Sequence, residues 1–168
     1  MTIYVLRHGT AEERREGRPD ATRALTTPGK QKLRTVLRQA KEAGVSPDII
    51  LTSPLTRALE TAELAAEILG CRKKPAVTRT LLPSSTPGRV WKEMSQTRAS
   101  SVLIAGHEPL LGQVISFLLN CPSLQVDLKK GALVRVDLAS SESRPSGTLK
   151  WMLTPKLARA ISAHPPER

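Results

Sequence analysis

The chain has 168 residues, 39% of them hydrophobic and 24% charged, a composition typical of one globular domain and not of a disordered chain. Its 26 Lys and Arg residues outnumber 15 Asp and Glu and give a net charge of +11, which attracts anions, whereas one Phe, one Tyr and two Trp are too few for a base-stacking surface. No apolar run approaches the roughly 18 residues of a membrane-spanning helix, and the first residues lack the pattern of a signal peptide, so we expect a cytoplasmic protein without a membrane partner.

The first part of the chain predicts a strand followed by a helix. An apolar run over residues 3–6 predicts a strand that ends at Arg7. The helix has Thr27 as its N-cap and Pro28 at its first position, and it ends at Gly44. Its apolar stripe consists of Leu33, Val36, Leu37 and Ala40.

The same order is repeated in the next segment. Residues 48–51 predict a buried strand, and a Ser-Pro pair opens a helix over residues 53–70. Residues 72–98 contain three prolines and are predicted to be mostly loop, with a strand near Val77 and a short helix over residues 90–94. One face of the helix over residues 53–70 is lined by Leu59, Ala62, Ala66 and Leu69.

The second half predicts three further strands and two further helices. The clearest buried strand covers residues 101–105 and leads into a helix. Residues 132–138 and 148–153 predict two late strands joined by a turn over residues 140–147, and residues 156–162 predict a last short helix. The helix after the strand over residues 101–105 has its apolar face at Leu110, Val114 and Leu118.

Strands and helices alternate along most of the chain, which predicts an α/β fold. We expect three layers, α/β/α, with a mostly parallel sheet covered by helices on both faces. A single catalytic domain over residues 1–162 uses most of the chain, so we expect it to be compact and without a large lid. We expect a flexible tail over residues 163–168.

Three predicted strands end next to residues that can bind or transfer phosphate. The first ends at Arg7 and His8, the second leads into the helix that contains Arg57, and the third is followed by His107. Parallel α/β sheets place their ligand sites at the carboxyl ends of the strands. We therefore expect two of the three histidines and two arginines to meet at one edge of the sheet.

This combination of side chains is typical of phosphoryl transfer. Guanidinium groups bind phosphate oxygens with paired hydrogen bonds. A neutral imidazole can attack phosphorus and form a phosphohistidine that water later hydrolyses, while a second imidazole stabilises the charge on the oxygens. A non-enzymatic module that binds anions or nucleic acid is an alternative suggested by the net charge, but it leaves the paired histidines unexplained.

Four segments resemble, in order, the motifs of the histidine phosphatase superfamily. Arg7-His8-Gly9-Thr10 follows the first strand, and residues 23–29 are Arg-Ala-Leu-Thr-Thr-Pro-Gly. Residues 53–61 are Ser-Pro-Leu-Thr-Arg-Ala-Leu-Glu-Thr, and residues 106–109 are Gly-His-Glu-Pro. The resemblance implies a phosphoglycerate-mutase-like fold, and the short chain with its Trp-Met-Leu-Thr-Pro ending most resembles the SixA-type protein phosphohistidine phosphatases.

The resemblance also implies roles for individual residues. His8 would be the nucleophile that carries the phosphoryl group, and His107 the second catalytic histidine. Arg7 and Arg57 would bind the phosphoryl oxygens, and Arg23, which lies in the second motif, is a further candidate for phosphate binding. No cofactor and no metal are implied.

The choice of substrate depends on a missing acid. Mutases and many phosphomonoesterases of the superfamily have a general-acid Glu in the loop that corresponds to residues 81–88, where this chain has no acid. An imidazole leaving group needs less protonation than a sugar alkoxide, so the absence favours phosphohistidine as the substrate. Glu12, Glu108 and Ser53 lie close to the motifs and are weaker candidates for substrate contact, and either Glu could supply the acid.

The partner implied by the resemblance is a phosphorylated signalling protein, such as a histidine phosphotransfer domain. Phosphate or related oxyanions would occupy the pocket, and we expect a monomer that binds no nucleic acid. A small-molecule phosphomonoesterase on the same fold shares every site residue and is the alternative. Cys71 and Cys121 are far apart in the sequence with no nearby Cys or His, which argues against a zinc site and a disulfide framework.

Overall fold

The computed structural model describes residues 1–139 and 145–164, which are built around a six-stranded sheet. The strands are β1 (Thr2–Arg7), β2 (Ile49–Thr52), β3 (Ala76–Val77), β4 (Ser101–Gly106), β5 (Leu133–Leu138) and β6 (Gly147–Leu153). Their order across the sheet is β3-β2-β4-β1-β5-β6. The strands from β3 to β1 are parallel, whereas β5 is antiparallel to both of its neighbours. The prediction of a mostly parallel sheet is confirmed.

Helices cover both faces of this sheet. They are α1 (Thr27–Glu42), α2 (Thr56–Leu69), α3 (Pro87–Gln96), α4 (Leu110–Leu118) and α5 (Pro155–Ala163). Side chains of β1 alternate between the faces, as a strand requires: Ile3 and Val5 pack with α3 and α4, whereas Tyr4 and Leu6 pack with α1, α2 and α5. The three-layer α/β/α architecture is therefore confirmed, with a compact apolar core on each side of the sheet.

The first helix and its cap both begin one residue earlier than predicted. Thr26, not Thr27, is the N-cap, and its Oγ1 accepts a hydrogen bond of 3.1 Å from the backbone N–H of Gly29. The same hydroxyl donates to the carbonyl oxygen of Thr10, so the cap also ties α1 to the loop after β1. Pro28 consequently occupies the second helical position.

Two other helices differ from the predictions. α2 begins at Thr56, after the Ser-Pro pair, and its N-cap is Leu55. The Ser53 side chain does not cap this helix: it is completely buried, and its hydroxyl lies 2.9 Å from His107 Nε2. Leu59 and Ala66 are only half-buried, since the buried face of α2 is turned toward Ala58, Ala62, Ala65 and Leu69. α3 is longer than predicted because Pro87, interpreted as a loop residue, starts the helix.

The late strands follow the prediction to within one residue. α5 begins one residue earlier and ends one residue later than expected, so Ala163, predicted to belong to the tail, is helical. Most of the predicted turn over residues 140–147 and residues 165–168 of the expected tail lie outside the described residues. Cys71 and Cys121 are free thiols that are partly buried. Within residues 1–139 and 145–164, none of the helices combines the length and the apolar character needed to cross a bilayer.

Candidate active site

Two neighbouring strands bring His8 and His107 together. β1 and β4 pair in parallel with Arg7 opposite Gly106, so the residue after each strand emerges at the same edge of the sheet. The two imidazole centroids are 5.0 Å apart, and the rings are tilted by 54°. His8 is 7% exposed and His107 is 2% exposed. The predicted meeting of the two histidines at a strand edge is observed.

Hydrogen bonds orient both rings. The Nδ1 atom of His8 lies 2.7 Å from the carbonyl oxygen of Gly9. A carbonyl can only accept, so in the neutral ring Nδ1 holds the proton and Nε2 keeps its lone pair. The Nε2 atom of His107 lies 2.9 Å from the Ser53 hydroxyl. Because the proton of His8 is on Nδ1, the Nε2 atom of His8 is the one that can act as the nucleophile.

The electrostatic surroundings keep both imidazoles neutral. Burial, with a further contribution from the cations of Arg57 and Arg7, lowers the pKa of His8 to about 4. Burial, the neighbouring His8 and Arg57 lower the pKa of His107 to about 3. A group that is neutral near pH 7 has a free lone pair, which a nucleophilic histidine needs.

Both predicted arginines lie at the same edge of the sheet. Arg57, in the first turn of α2, is only 5% exposed. Its Nη1 and Nη2 atoms donate to the backbone and side-chain oxygens of Asp20, at 3.0 and 3.1 Å. Arg7 donates from Nη1 to the carbonyl oxygen of Leu128 at 2.6 Å. The Nε atoms of both arginines are buried without a partner among the described residues, so each side chain retains an unused donor.

A carboxylate that the sequence analysis did not single out organises this side of the site. Asp20, in a 3₁₀ turn, accepts from Arg57, from Arg23 Nε at 2.8 Å and from Arg14 Nε at 3.1 Å. Although desolvation opposes it, the attraction of Arg57 and the hydrogen bond from Arg23 hold the pKa of Asp20 below its ordinary value. Arg23 and Arg57 therefore donate to the same carboxylate, that of Asp20. The role of Arg23 in phosphate binding stays a prediction.

Thr61 and Gly29 fix the loop that contains the nucleophile. The hydroxyl of Thr61, fully buried one turn after Arg57, donates to the Arg57 carbonyl at 2.7 Å and accepts from the Gly9 N–H at 3.2 Å. Gly29 packs so closely on the carbonyl of Thr10 that a Cβ at this position would collide with it. The sequence analysis did not assign a role to either residue. Both lie in the superfamily-like motifs over residues 23–29 and 53–61, and this membership is the sequence feature that could have identified them.

The two candidate acids differ in position. Glu12 pairs with Arg18 at 3.2 Å, and its side chain is one-third exposed. Glu108 directly follows His107, and its Oε1 is buried without a partner among the described residues. Burial raises the pKa of Glu108, and nearby Arg7 opposes that shift. Glu108 is therefore the carboxyl group that is better placed to hold a proton beside the site.

The arrangement suits an oxyanion better than a metal ion. Two neutral imidazoles and two guanidinium groups at one edge of the sheet offer one nucleophile and several N–H donors. Within the described ranges, no group of three or more His, Cys, Asp or Glu side chains is placed to hold a metal. The chemistry that these groups support is transfer of a phosphoryl group to imidazole nitrogen.

Comparisons with known proteins bear on the family and on the fold. The family model of the histidine phosphatase superfamily (branch 1) matches residues 3–82. An uncharacterised protein of Picosynechococcus sp. is 33% identical over 165 residues, covering 93% of this chain and 98% of its own. The structure of the protein histidine phosphatase SixA complexed with tungstate is 28% identical, with a TM-score of 0.82 over 93% of this chain and 98% of that chain. A phosphoserine phosphatase from Entamoeba histolytica shares the fold at 16% identity, with a TM-score of 0.67 over 93% and 98% of the two chains.

Proposed function

Because this chain belongs to the histidine phosphatase superfamily and is a phosphatase, we propose that it removes phosphate from phosphohistidine on a signalling protein. The observation that carries the proposal is the neutral His8, whose Nδ1 is bonded to a carbonyl and whose Nε2 has a free lone pair. The likeness to SixA, described as a protein histidine phosphatase, supports this choice of substrate.

The reaction has two steps. In the first step, His8 Nε2 attacks the phosphorus atom of the substrate. A bond forms between His8 Nε2 and phosphorus while the bond between phosphorus and the substrate's imidazole nitrogen breaks. The substrate imidazole leaves with the electron pair of that bond and takes a proton from solvent. Water then attacks the phosphoryl group on His8, which releases inorganic phosphate and returns the imidazole to its neutral form.

The charge on the phosphoryl oxygens is stabilised by groups that are already in place. Arg7 and Arg57 are held by backbone and carboxylate oxygens, so their guanidinium groups need little reorganisation. His107 is bonded to Ser53, its ring centroid lies 5.0 Å from that of His8, and it can donate a hydrogen bond to a phosphoryl oxygen. Tungstate in the SixA structure supports an oxyanion pocket of this kind.

A small-molecule phosphomonoesterase is the second candidate, and Glu108 is the observation in its favour. An alkyl or sugar phosphate leaves as a strongly basic alkoxide and needs a proton from an acid. Burial raises the pKa of Glu108, so this carboxyl group stays protonated to a higher pH than an exposed one. Glu108 also lines a groove of about 400 Å³ on the side of α4.

Leaving-group dependence separates the two candidates. We expect phosphohistidine protein to be hydrolysed fastest, p-nitrophenyl phosphate more slowly, and sugar phosphates hardly at all. Glu108→Gln should keep most of the activity toward phosphohistidine, as should Glu12→Gln, the matched control. Efficient hydrolysis of a sugar phosphate that is lost in Glu108→Gln alone would favour the second candidate instead.

A further inference from the structure

A wide groove lies next to the nucleophile and has a strongly basic lining. We call it the basic groove and define it by Thr10, Lys32, Lys130, Lys156 and Arg159, which come from the loop after β1, α1, the segment before β5 and α5. Its volume is about 640 Å³. No Asp or Glu is among the described residues that line it.

The cations of the basic groove are exposed and largely uncompensated. Lys32, Lys130, Lys156 and Arg159 are all exposed to solvent and form no ion pair with the described residues. A fifth cation of the lining, Lys129, pairs with Asp127 at 2.6 Å. Unpaired cations on one wall attract anions over about a Debye length, roughly 8–10 Å at physiological salt.

The basic groove lies beside the loop that contains the nucleophile. Thr10 is two residues beyond His8, and the residue after Lys130, Gly131, donates its N–H to the carbonyl oxygens of Arg7 and His8, both at 3.1 Å. Lys130 is also one of the cations that lower the pKa of His8. A molecule bound in the groove would therefore touch the protein surface that surrounds the nucleophile.

We propose that the basic groove docks an acidic face of the phosphorylated substrate protein while its phosphohistidine enters the pocket at His8. This rests on the proposed function and extends it to the partner. A small ligand with a second anionic group is held by convergent, partly buried donors. The cations here are instead exposed, flexible and distributed over three elements of the fold, which suits steering and docking of a protein surface.

Two phosphohistidine peptides of equal length test the proposal, one with four Glu around the phosphohistidine and one with four Gln. The groove variant combines Lys32→Ala, Lys156→Ala and Arg159→Ala. The control variant changes the three basic residues at 72–74 to Ala, which removes the same charge from the turn before β3, at the amino ends of the parallel strands. For the unchanged protein at low salt, we expect kcat/KM for the acidic peptide to exceed that for the neutral peptide about tenfold, through KM.

The groove variant should lose this preference and the control variant should keep it, with little change for the neutral peptide in either. Equal rates for the two peptides in the unchanged protein, or loss of the preference in the control variant, would overturn the docking surface. Binding of the unphosphorylated acidic peptide is measured in parallel, and tighter binding of an oligonucleotide of equal charge would also overturn it. If neither phosphohistidine peptide is hydrolysed, the proposed function fails, while the binding measurement still tests the groove.

Discussion

Arg57→Ala is the substitution that most directly tests whether arginine side chains bind the phosphoryl oxygens. Its side chain is almost completely buried at the start of α2, and its two Nη atoms are held by Asp20. Its Nε is a further buried donor without a partner among the described residues. Replacement by Ala removes the whole guanidinium group, and with it every donor that Arg57 could offer to a bound oxyanion.

The expected loss of activity is large and the loss of stability is small. Removal of a single donor to a transition-state oxyanion costs about 10²- to 10³-fold in rate, so we expect kcat/KM to fall about 10²-fold or more. The change also removes two hydrogen bonds to Asp20, each contributing about 1 kcal/mol. Asp20 keeps its bonds to Arg23 and Arg14, so the free energy of unfolding should fall by only about 1–2 kcal/mol.

The assay compares Arg57→Ala with Arg34→Ala, which removes a partly exposed arginine of α1 that pairs with Glu67 of α2 at 3.3 Å. Both variants are assayed with p-nitrophenyl phosphate, with tungstate as a competing oxyanion, and by urea denaturation. We expect loss of activity and weaker tungstate inhibition in Arg57→Ala only, and partial recovery in Arg57→Lys. Unchanged catalysis and tungstate inhibition in Arg57→Ala would refute the placement of this guanidinium against the phosphoryl group.

Three further predictions concern the histidines and the supports of the nucleophile loop. In an NMR titration the imidazoles of His8 and His107 should titrate below pH 5. Because folding lowers both pKa values, these two groups do not reduce the free energy of unfolding above pH 6.5, and it should decrease as the pH falls from 6.5 toward 4 for His8 and toward 3 for His107. Titration of His8 near pH 6.5 would contradict this. Thr61→Val leaves the Gly9 N–H without its buried acceptor. The free energy of unfolding should fall by about 1–3 kcal/mol together with kcat, and an unchanged urea midpoint would count against the role of Thr61. Gly29→Ala should reduce both thermal stability and activity because its Cβ meets the Thr10 carbonyl, and wild-type values for both would show that the contact is unimportant.

The main features of the site could be predicted because they follow from local patterns and one topological rule. His8 and His107 come directly after two apolar runs, and parallel neighbouring strands must deliver them to one edge of the sheet. The position of Arg57 could be predicted because it lies in the first turn of the helix that starts after β2. The same reasoning predicted the buried stripe of α1 residue by residue.

Other features depend on tertiary contacts that no local pattern contains. Asp20 lies in a polar segment without periodicity, and only the folded chain places it against Arg57, which follows it by 37 positions. The cap of α1 differs by one residue because Thr26 and Thr27 have the same local preference, and the contact of Thr26 with Thr10 decides between them. The buried face of α2 differs from the predicted apolar face because it includes the polar residues Arg57 and Thr61, which an apolar pattern does not select.

The central claim is that His8 becomes covalently phosphorylated, and trapping that intermediate tests it most directly. Rapid mixing with a phosphohistidine peptide, a quench that preserves acid-labile phosphate, and proteolysis with mass spectrometry would locate the phosphate. The account predicts one phosphoryl group on His8 that is labile to acid, and no turnover in His8→Ala with the fold retained. Activity retained in His8→Ala, or an acid-stable phosphate on a serine, would contradict it.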